Sequence, residues 1–230
     1  SSKLSKQNRW GYFPSFSAGW TISNEPFFKD NVSRDVVSHL KLRASWGRNG
    51  NVSVLNNYAY ATSINYGGTW YQFDGDSPNV SLGAKPAGLA NPELKWETSD
   101  QVDVGVDAHF LNSKLVVTAD YYHKTTNDLL VGVTPSAAIG VSSMTINAGS
   151  VINSGLEFEV TWKEQVGDFA YSVSANASTL KNKVTYLDPT ISRIAGTAPQ
   201  GSYLRTYFEE GYPIWYMRGY KGTGVDPKTG

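Results

Sequence analysis

Cysteine is absent from this sequence, and histidine occurs only three times. Without cysteine the chain has no disulfide scaffold, no cysteine-ligated zinc site and no cysteine nucleophile. The three histidines, His39, His109 and His123, are far apart in the sequence and show no metal-ligand spacing, which argues against a zinc site. We therefore expect neither a metal nor a cofactor.

The sequence also lacks an excess of one charge and a long apolar run. Lys+Arg and Asp+Glu both number 20, so the formal charge is zero, and the electrostatic basis for nucleic-acid binding is absent. Nucleic acid is therefore not an expected partner. No apolar segment approaches the roughly 18 residues of a membrane-spanning helix, and the first residues contain no hydrophobic region of a signal peptide.

Alternation of apolar and polar side chains dominates what is present. In "QVDVGVDAHF", Val102, Val104 and Val106 alternate with Asp103 and Asp107. A period of two indicates a β-strand whose two faces differ. The same pattern predicts strands in the segments 9–22, 39–46, 113–124, 153–163 and 168–179, with a last strand within 202–218. The chain is therefore predicted to be all-β, with about seven strands.

The predicted connections between these strands alternate in length. Tight turns are expected at 111–114 and 164–168, and long loops at 47–93, 126–149 and 182–201. An antiparallel meander with short turns at one end and long loops at the other is the layout of a bacterial outer-membrane β-barrel, whose turns are periplasmic and whose loops are extracellular.

Two segments need a separate interpretation. The connection 21–38 lies on the short-turn side yet is long, and within it "SRDVVSHL" (33–40) predicts a helix of one or two turns with Ser33 as its N-cap. The segment "GRNGN" (47–51) is rich in Gly and Asn, which favours loop backbone at positive φ and not a phosphate-binding loop.

Aromatic residues fall near the ends of the predicted strands, where a barrel carries its interfacial girdles. Those expected next to the short turns are Trp20, Phe110, Trp162, Phe169 and Tyr171, and those expected toward the long loops are Trp10, Tyr12, Trp46 and Tyr121.

Two architectures fit this pattern. In a barrel the apolar face contacts lipid, and carboxylates such as Asp103, Asp107, Glu157 and Glu159 stay hydrated inside. In a soluble β-sandwich the apolar faces would meet in a dry core instead. A barrel must close, because every backbone amide needs a partner in lipid, and about seven strands are too few for a channel.

Enzymatic chemistry is not expected. The pairs Asp103/Asp107 and Glu157/Glu159 loosely meet the spacing of glycosidase carboxylates, but a barrel wall offers no pocket that would raise the pKa of one of them. No Gly-x-Ser-x-Gly motif is present.

The candidate ligand-binding residues lie in "GGTWYQFDGDSPNV" (67–80), within the longest loop. Trp70, Tyr71 and Phe73 are suited to stacking on sugar rings or to packing against a lid partner. Asp74 and Asp76 are suited to binding hydroxyl groups or a cation, but their spacing is not that of a calcium loop. The alternative is a loop that packs on itself around a solvated turn.

Several segments in order resemble one known family. They are "RWGYFPSFSAGW", "LKLRASWGRNGN", "NPELKWETSDQVDVGVD", "LVVTADYYHKTTNDLL", "NAGSVINSGLEFEV" and "EGYPIWYMRGYKGTGV". Together they resemble the barrel of SusC/RagA-type TonB-dependent outer-membrane transporters. The resemblance covers nearly the whole chain, and the ordered set is more specific than any single segment.

The resemblance implies that residues 1–230 form one partial outer-membrane β-barrel domain, taken from a barrel of about 22 strands. The plug domain and the terminal strands are expected outside this sequence. The implied partners are outer-membrane lipids, a SusD-like surface lipoprotein, the TonB complex acting through the N-terminal part, and an oligosaccharide or peptide cargo. Two alternatives remain: a TonB-dependent receptor for an iron chelate or vitamin, and a soluble secreted glycan-binding β-sandwich.

Overall fold

The computed structural model describes residues 1–71, 81–141, 144–196, 204–219, 221 and 224. The strands of these residues are β1 (Ser15–Thr21), β2 (Val37–Asn51), β3 (Ile64–Tyr71), β4 (Ser81–Pro86), β5 (Glu97–Phe110), β6 (Leu115–Val133), β7 (Met144–Val166), β8 (Phe169–Ser178), β9 (Lys181–Leu187), β10 (Ile194–Ala195), β11 (Arg205–Phe208) and β12 (Tyr216–Arg218). The helical elements are α1 (Pro26–Asn31) and the 3-10 turns Ile22–Asn24 and Ala137–Ile139. Among the described residues, no helix has the length and apolar character needed to span a membrane.

The main sheet is an antiparallel meander with the order β1-β2-β5-β6-β7-β8, and β9 also pairs with β7. The strands β3 and β4 form a separate two-stranded ribbon, and β10, β11 and β12 form a three-stranded sheet. The all-β antiparallel architecture predicted from the alternating pattern is therefore confirmed. The expected strand within 202–218 is instead the pair β11 and β12, outside the main sheet.

The strands β8 and β9 act as one long strand along β7. Ser178 pairs with Glu157, and Lys181 pairs with Ser154, in one common register. Between them, the backbone N–H of Thr179 donates to the carbonyl oxygen of Leu156 at 2.8 Å, and the Leu156 N–H donates to Thr179 Oγ1 at 3.0 Å. The threonine hydroxyl therefore carries the ladder across the gap between the two strands.

One face of the main sheet is apolar and uncovered. Val104, Phe158 and Val173 are 52%, 47% and 63% exposed, although each lies inside a paired strand. In a sandwich these side chains would be buried against a second sheet. The sandwich alternative is therefore wrong, and we call this surface the outward face.

The helix expected at 33–40 is wrong. Residues 33–36 form a turn in which the N–H groups of Val36 and Val37 both donate to the carbonyl oxygen of Ser33, and β2 starts at Val37. The side chain of Ser33 accepts from the N–H of Asp35, so it caps this turn alone. The α-helix lies earlier, at Pro26–Asn31, with Pro26 in its first turn, where proline is favoured.

The loop backbone expected at "GRNGN" is also wrong. Residues 47–51 continue β2 and pair with 97–101 of β5, and none of them has a positive φ. A Cβ on Gly50 would come within 2.1 Å of the Phe13 ring, so this glycine provides room for an aromatic ring. The long loops expected at 126–149 and 182–201 are shorter than predicted, because β6, β7 and β9 extend into them.

A small apolar cluster holds both ends of the long connection between β2 and β5. Leu4, Leu55 and Leu94 are buried together. Polar contacts from the N-terminal segment reinforce them: Ser5 Oγ donates to the Pro92 carbonyl at 2.8 Å, and Lys3 Nζ donates to the Val52 carbonyl at 3.1 Å. We call this cluster the loop clamp. It fixes the point from which the ribbon β3–β4 extends.

A second cluster docks the three-stranded sheet onto the main sheet. Val151 and Val184 are buried with Leu187 and Phe208. The backbone pairs here as well, since the Val184 N–H donates to the carbonyl oxygen of Tyr212 at 2.9 Å. The segment after β9 is therefore attached to the long-loop end of β7 and β9.

The outward face predicts an asymmetric response to charge. In the intact protein in a lipid bilayer, we expect Val104→Arg to lower the free energy of unfolding by about 2–4 kcal/mol, because the charge would enter hydrocarbon. The matched control is Asn176→Arg, on the opposite face of β8 and paired with Glu159, for which a change within about 0.5 kcal/mol is expected. Denaturant titration followed by tryptophan fluorescence measures both. Equal effects of the two substitutions would contradict the assignment of the faces.

Candidate functional site

The polar face of the main sheet carries an ion-pair cluster that spans three strands. Arg43 on β2 donates through Nε to Asp107 Oδ2 at 2.8 Å and through Nη2 to Asp107 Oδ1 at 3.0 Å. Its Nη2 also donates to Asp120 on β6 at 3.1 Å, and Thr118 Oγ1 donates to Asp107. A bidentate guanidinium–carboxylate pair is among the stronger polar contacts in proteins. The cluster therefore links β2, β5 and β6.

Gly105 makes this contact possible. It lies directly between Arg43 and Asp120 in the register of β2, β5 and β6. A Cβ at this position would come within 2.0 Å of Asp120 Oδ1 and 2.9 Å of Arg43 Nη2. The arginine therefore reaches across β5 only because the middle residue has no side chain.

One residue of the sequence, Gly105, indicates this cluster, although the alternating pattern alone does not predict it. Gly105 interrupts the polar row between Asp103 and Asp107, and glycine inside a strand often marks a close approach. Asp103 and Asp107, which the sequence spacing brought up as a carboxylate pair, have separate roles here. Asp103 accepts from Ser45 Oγ at 3.1 Å and from Gln101 Nε2 at 2.8 Å, whereas Asp107 faces Arg43. Each carboxylate therefore binds a side chain of β2, and both have a structural role.

Two of the three histidines are neighbours in the fold. His39 and His109 pair directly across β2 and β5, with ring centroids 4.9 Å apart, although 70 positions separate their numbers. His109 Nδ1 also lies 3.4 Å from Ser113 Oγ. Within the described ranges, no group of three or more His, Cys, Asp and Glu side chains is placed to hold a metal ion.

The structure describes part of the predicted ligand-binding loop. Trp70 lies on β3, pairs with Leu82 of β4 and is 59% exposed. Tyr71 is the last residue of β3. Phe73, Asp74 and Asp76 lie outside the described residues. Trp70 is therefore on the ribbon that extends from the loop clamp, at the end of the strands where the long loops lie.

A second aromatic surface was not predicted from the sequence. The guanidinium carbon of Arg193 lies 4.7 Å above the Tyr207 ring. Tyr207 is 6.0 Å from Tyr216, whose ring stacks on Tyr212 at 4.6 Å. The Tyr216 hydroxyl donates to the Glu209 carboxylate, and this bond raises the pKa of Tyr216 above its ordinary value because it favours the protonated form. We call these four side chains, Arg193, Tyr207, Tyr212 and Tyr216, the tyrosine column.

The close approach at Gly105 predicts a measurable cost. Gly105→Ala should lower the free energy of unfolding of the intact protein by about 1–3 kcal/mol, because the new methyl group displaces the Arg43–Asp120 contact. The matched control is Gly132→Ala on β6, where a Cβ meets nothing within 4 Å. In an Asp120→Ala background the extra cost of Gly105→Ala should fall, as a double-mutant cycle would show. An unchanged cost in that background would show that Gly105 is not required for the Arg43–Asp120 contact.

The chain matches a family model described as TonB dependent receptor-like, beta-barrel, over residues 1–224. TonB-dependent receptor P3 of Formosa agariphila is 33% identical over 229 residues, which are 98% of this chain and 22% of that protein. TonB-dependent receptor SusC of Bacteroides thetaiotaomicron is 36% identical over 189 residues, covering 81% of this chain and 18% of SusC.

Solved structures give the same result. The structure of the RagAB peptide transporter is matched with a TM-score of 0.74 and 28% identity, over 93% of this chain and 22% of the matched chain. The RagAB peptide importer in its 'closed-closed' state is matched with a TM-score of 0.74 and 27% identity, over 92% of this chain and 22% of that one. The chain thus spans about a fifth of the length of the relatives that it matches.

These matches confirm the SusC/RagA resemblance, the fold class of an incomplete outer-membrane barrel and the outer-membrane location that the sequence predicted. They agree with the open, seven-stranded main sheet and its uncovered apolar face. The chain belongs to the TonB-dependent receptor-like β-barrel family.

Proposed function

We propose that the full-length protein imports glycan or peptide fragments across the outer membrane, driven through TonB, and works with a SusD-like surface lipoprotein. Transport of this kind is binding followed by gated passage, with no covalent step. The observation that carries the proposal is the match to SusC over 81% of this chain and to the RagAB peptide importer over 92% of it.

The wall described here supports that role. Its outward face presents exposed apolar residues suited to lipid, and its polar face carries charged and hydroxyl side chains suited to a hydrated interior. A closed sheet of such strands satisfies every backbone group in the membrane.

The cargo or the lipoprotein contacts the ribbon in this proposal. Trp70 is exposed on the ribbon, and Tyr71, Phe73, Asp74 and Asp76 follow it in the sequence. Exposed aromatic rings stack on sugar rings or pack against a partner's apolar side chains. Carboxylates accept hydrogen bonds from sugar hydroxyls or peptide N–H groups.

Uptake by whole cells tests the proposal. Cells that carry the full-length gene should accumulate labelled neutral oligosaccharides or labelled oligopeptides, and cells without the gene should not. Removal of TonB should abolish uptake while leaving surface binding. Uptake of an iron chelate or vitamin in place of both substrates would overturn the proposal in favour of the other receptor class.

Trp70 gives the test at residue level. We expect Trp70→Ala in the intact protein to weaken binding of the imported cargo or the lipoprotein about two- to twelvefold, because one aromatic contact contributes about 0.5–1.5 kcal/mol. The matched control is Phe169→Ala, which removes a similarly exposed ring at the short-turn end of the sheet. Titration calorimetry measures both affinities. Equal effects of the two substitutions on affinity would contradict the proposal that the ribbon is part of the binding surface.

A further inference from the structure

The connection between β1 and β2 differs from the other connections at the short-turn end. The hairpins at 111–114 and 167–168 are tight turns, whereas residues 22–36 include a 3-10 turn and α1 before β2 begins. A loop of this length needs a role, because short turns suffice to join neighbouring antiparallel strands.

The segment is well ordered by local contacts. The N–H of Lys29 donates to the Glu25 carbonyl at 3.1 Å, and the Val32 N–H donates to the Phe28 carbonyl at 2.9 Å. The Asn31 side-chain amide donates to the Phe27 carbonyl at 2.7 Å. These bonds lie within the segment, so they stabilise the helical turns of α1 locally.

An aromatic pair places α1 on the outward side of the sheet. Trp20 pairs with Leu42, which pairs with Val106, so its side chain is on the outward face. The Phe27 ring of α1 lies 6.4 Å from the Trp20 ring, centroid to centroid. The Trp20 indole N–H donates to Glu25 Oε1 at 3.0 Å. The helix is therefore attached to the lipid-facing end of β1 and not to the polar face.

Both rings of this pair are left uncovered. Trp20 is 49% and Phe27 is 55% exposed, and the charged side chains of Lys29 and Asp30 on the same short helix are exposed as well. An ordered helix with uncovered aromatic rings beside charged residues matches the boundary between headgroups and acyl chains. The pair continues the outward apolar face without a break, through Trp20.

We propose that residues 20–31 form an interfacial anchor, in which the Phe27 and Trp20 rings sit in the headgroup region of the periplasmic leaflet. Lipid is the occupant because the rings adjoin the outward face, whose exposed apolar side chains suit acyl chains. The Glu25 contact satisfies the only polar group of the tryptophan ring, so the indole enters the boundary without an unpaired donor. The anchor resists movement of the β1–β2 corner along the membrane normal.

A depth-dependent quenching experiment tests the anchor. Phe27→Cys and Lys29→Cys are labelled with an environment-sensitive fluorophore in the full-length protein, with any other cysteine replaced, in phosphatidylethanolamine and phosphatidylglycerol vesicles. The two positions are about 200° apart around the helix, which makes Lys29 the matched control. Heat-modifiable gel mobility establishes that both labelled proteins are folded.

The two positions should respond oppositely. A nitroxide near the top of the lipid acyl chain should quench most of the fluorescence at Phe27→Cys and little at Lys29→Cys, and aqueous iodide should show the reverse. Iodide quenching at Phe27→Cys without lipid quenching would overturn the anchor. Protection of Phe27→Cys from both quenchers would also overturn it, and would indicate coverage by protein, either a periplasmic partner or a second copy.

Discussion

Backbone pairing across the main sheet keeps one register through the middle of β2, β5, β6 and β7. This stretch begins at the His39 pair on β2 and ends at the Val184 pair on β9. The register shifts at Val37/His39 between β2 and β5, at Thr126/Leu129 and Leu129/Leu130 between β6 and β7, and at Ser150/Val151 between β7 and β9, all outside the stretch that carries Arg43, Asp107 and Asp120. Because side chains alternate along a strand, a slip of one residue would exchange the two faces completely. The separation of an apolar face from a charged face depends on this register.

The register also decides which polar groups can meet. Arg43 is opposite Gly105, and Gly105 is opposite Asp120, so the cluster on the polar face follows from backbone alignment and the absence of one side chain. The bidentate contact with Asp107 in turn opposes a slip of β2 against β5, since a shifted pairing would leave the guanidinium without that partner. Side-chain and backbone contacts therefore favour the same alignment.

Strand identity and facing were predictable from the sequence, because the period of two is local. The alternation around Val104 and Phe158 was sufficient to place each on the outward face. Strand ends were less predictable: β6 and β7 continue past the alternating segments to Val133 and back to Met144, where pairing with a long neighbour outweighs composition. The helix predicted at 33–40 failed for the same reason, since Val37 pairs with Phe110 and Ser33 caps only a turn.

The candidate site was predictable only in part, since contacts between distant strands are not local. Trp70 was a candidate because of the aromatic composition of 67–80, and the structure places it on β3, while its ligand-binding role stays a prediction. The His39–His109 neighbours and the reach of Arg43 to Asp120 need the order of strands in the sheet, which no single segment contains. The tyrosine column likewise brings Arg193 next to Tyr207. The sequence between these two residues does not indicate that they meet.

The loop clamp has a consequence for how such a protein diversifies. Leu55 and Leu94 pack together at the base of the connection that contains β3 and β4. Residues inserted beyond that base therefore do not change the pairing of β2 with β5. The entropy of closing a flexible loop grows only with the logarithm of its length, about 0.6 kcal/mol for each doubling. Insertions and deletions in the ribbon are therefore nearly neutral for the barrel wall, and selection can remodel this tip as an independent module.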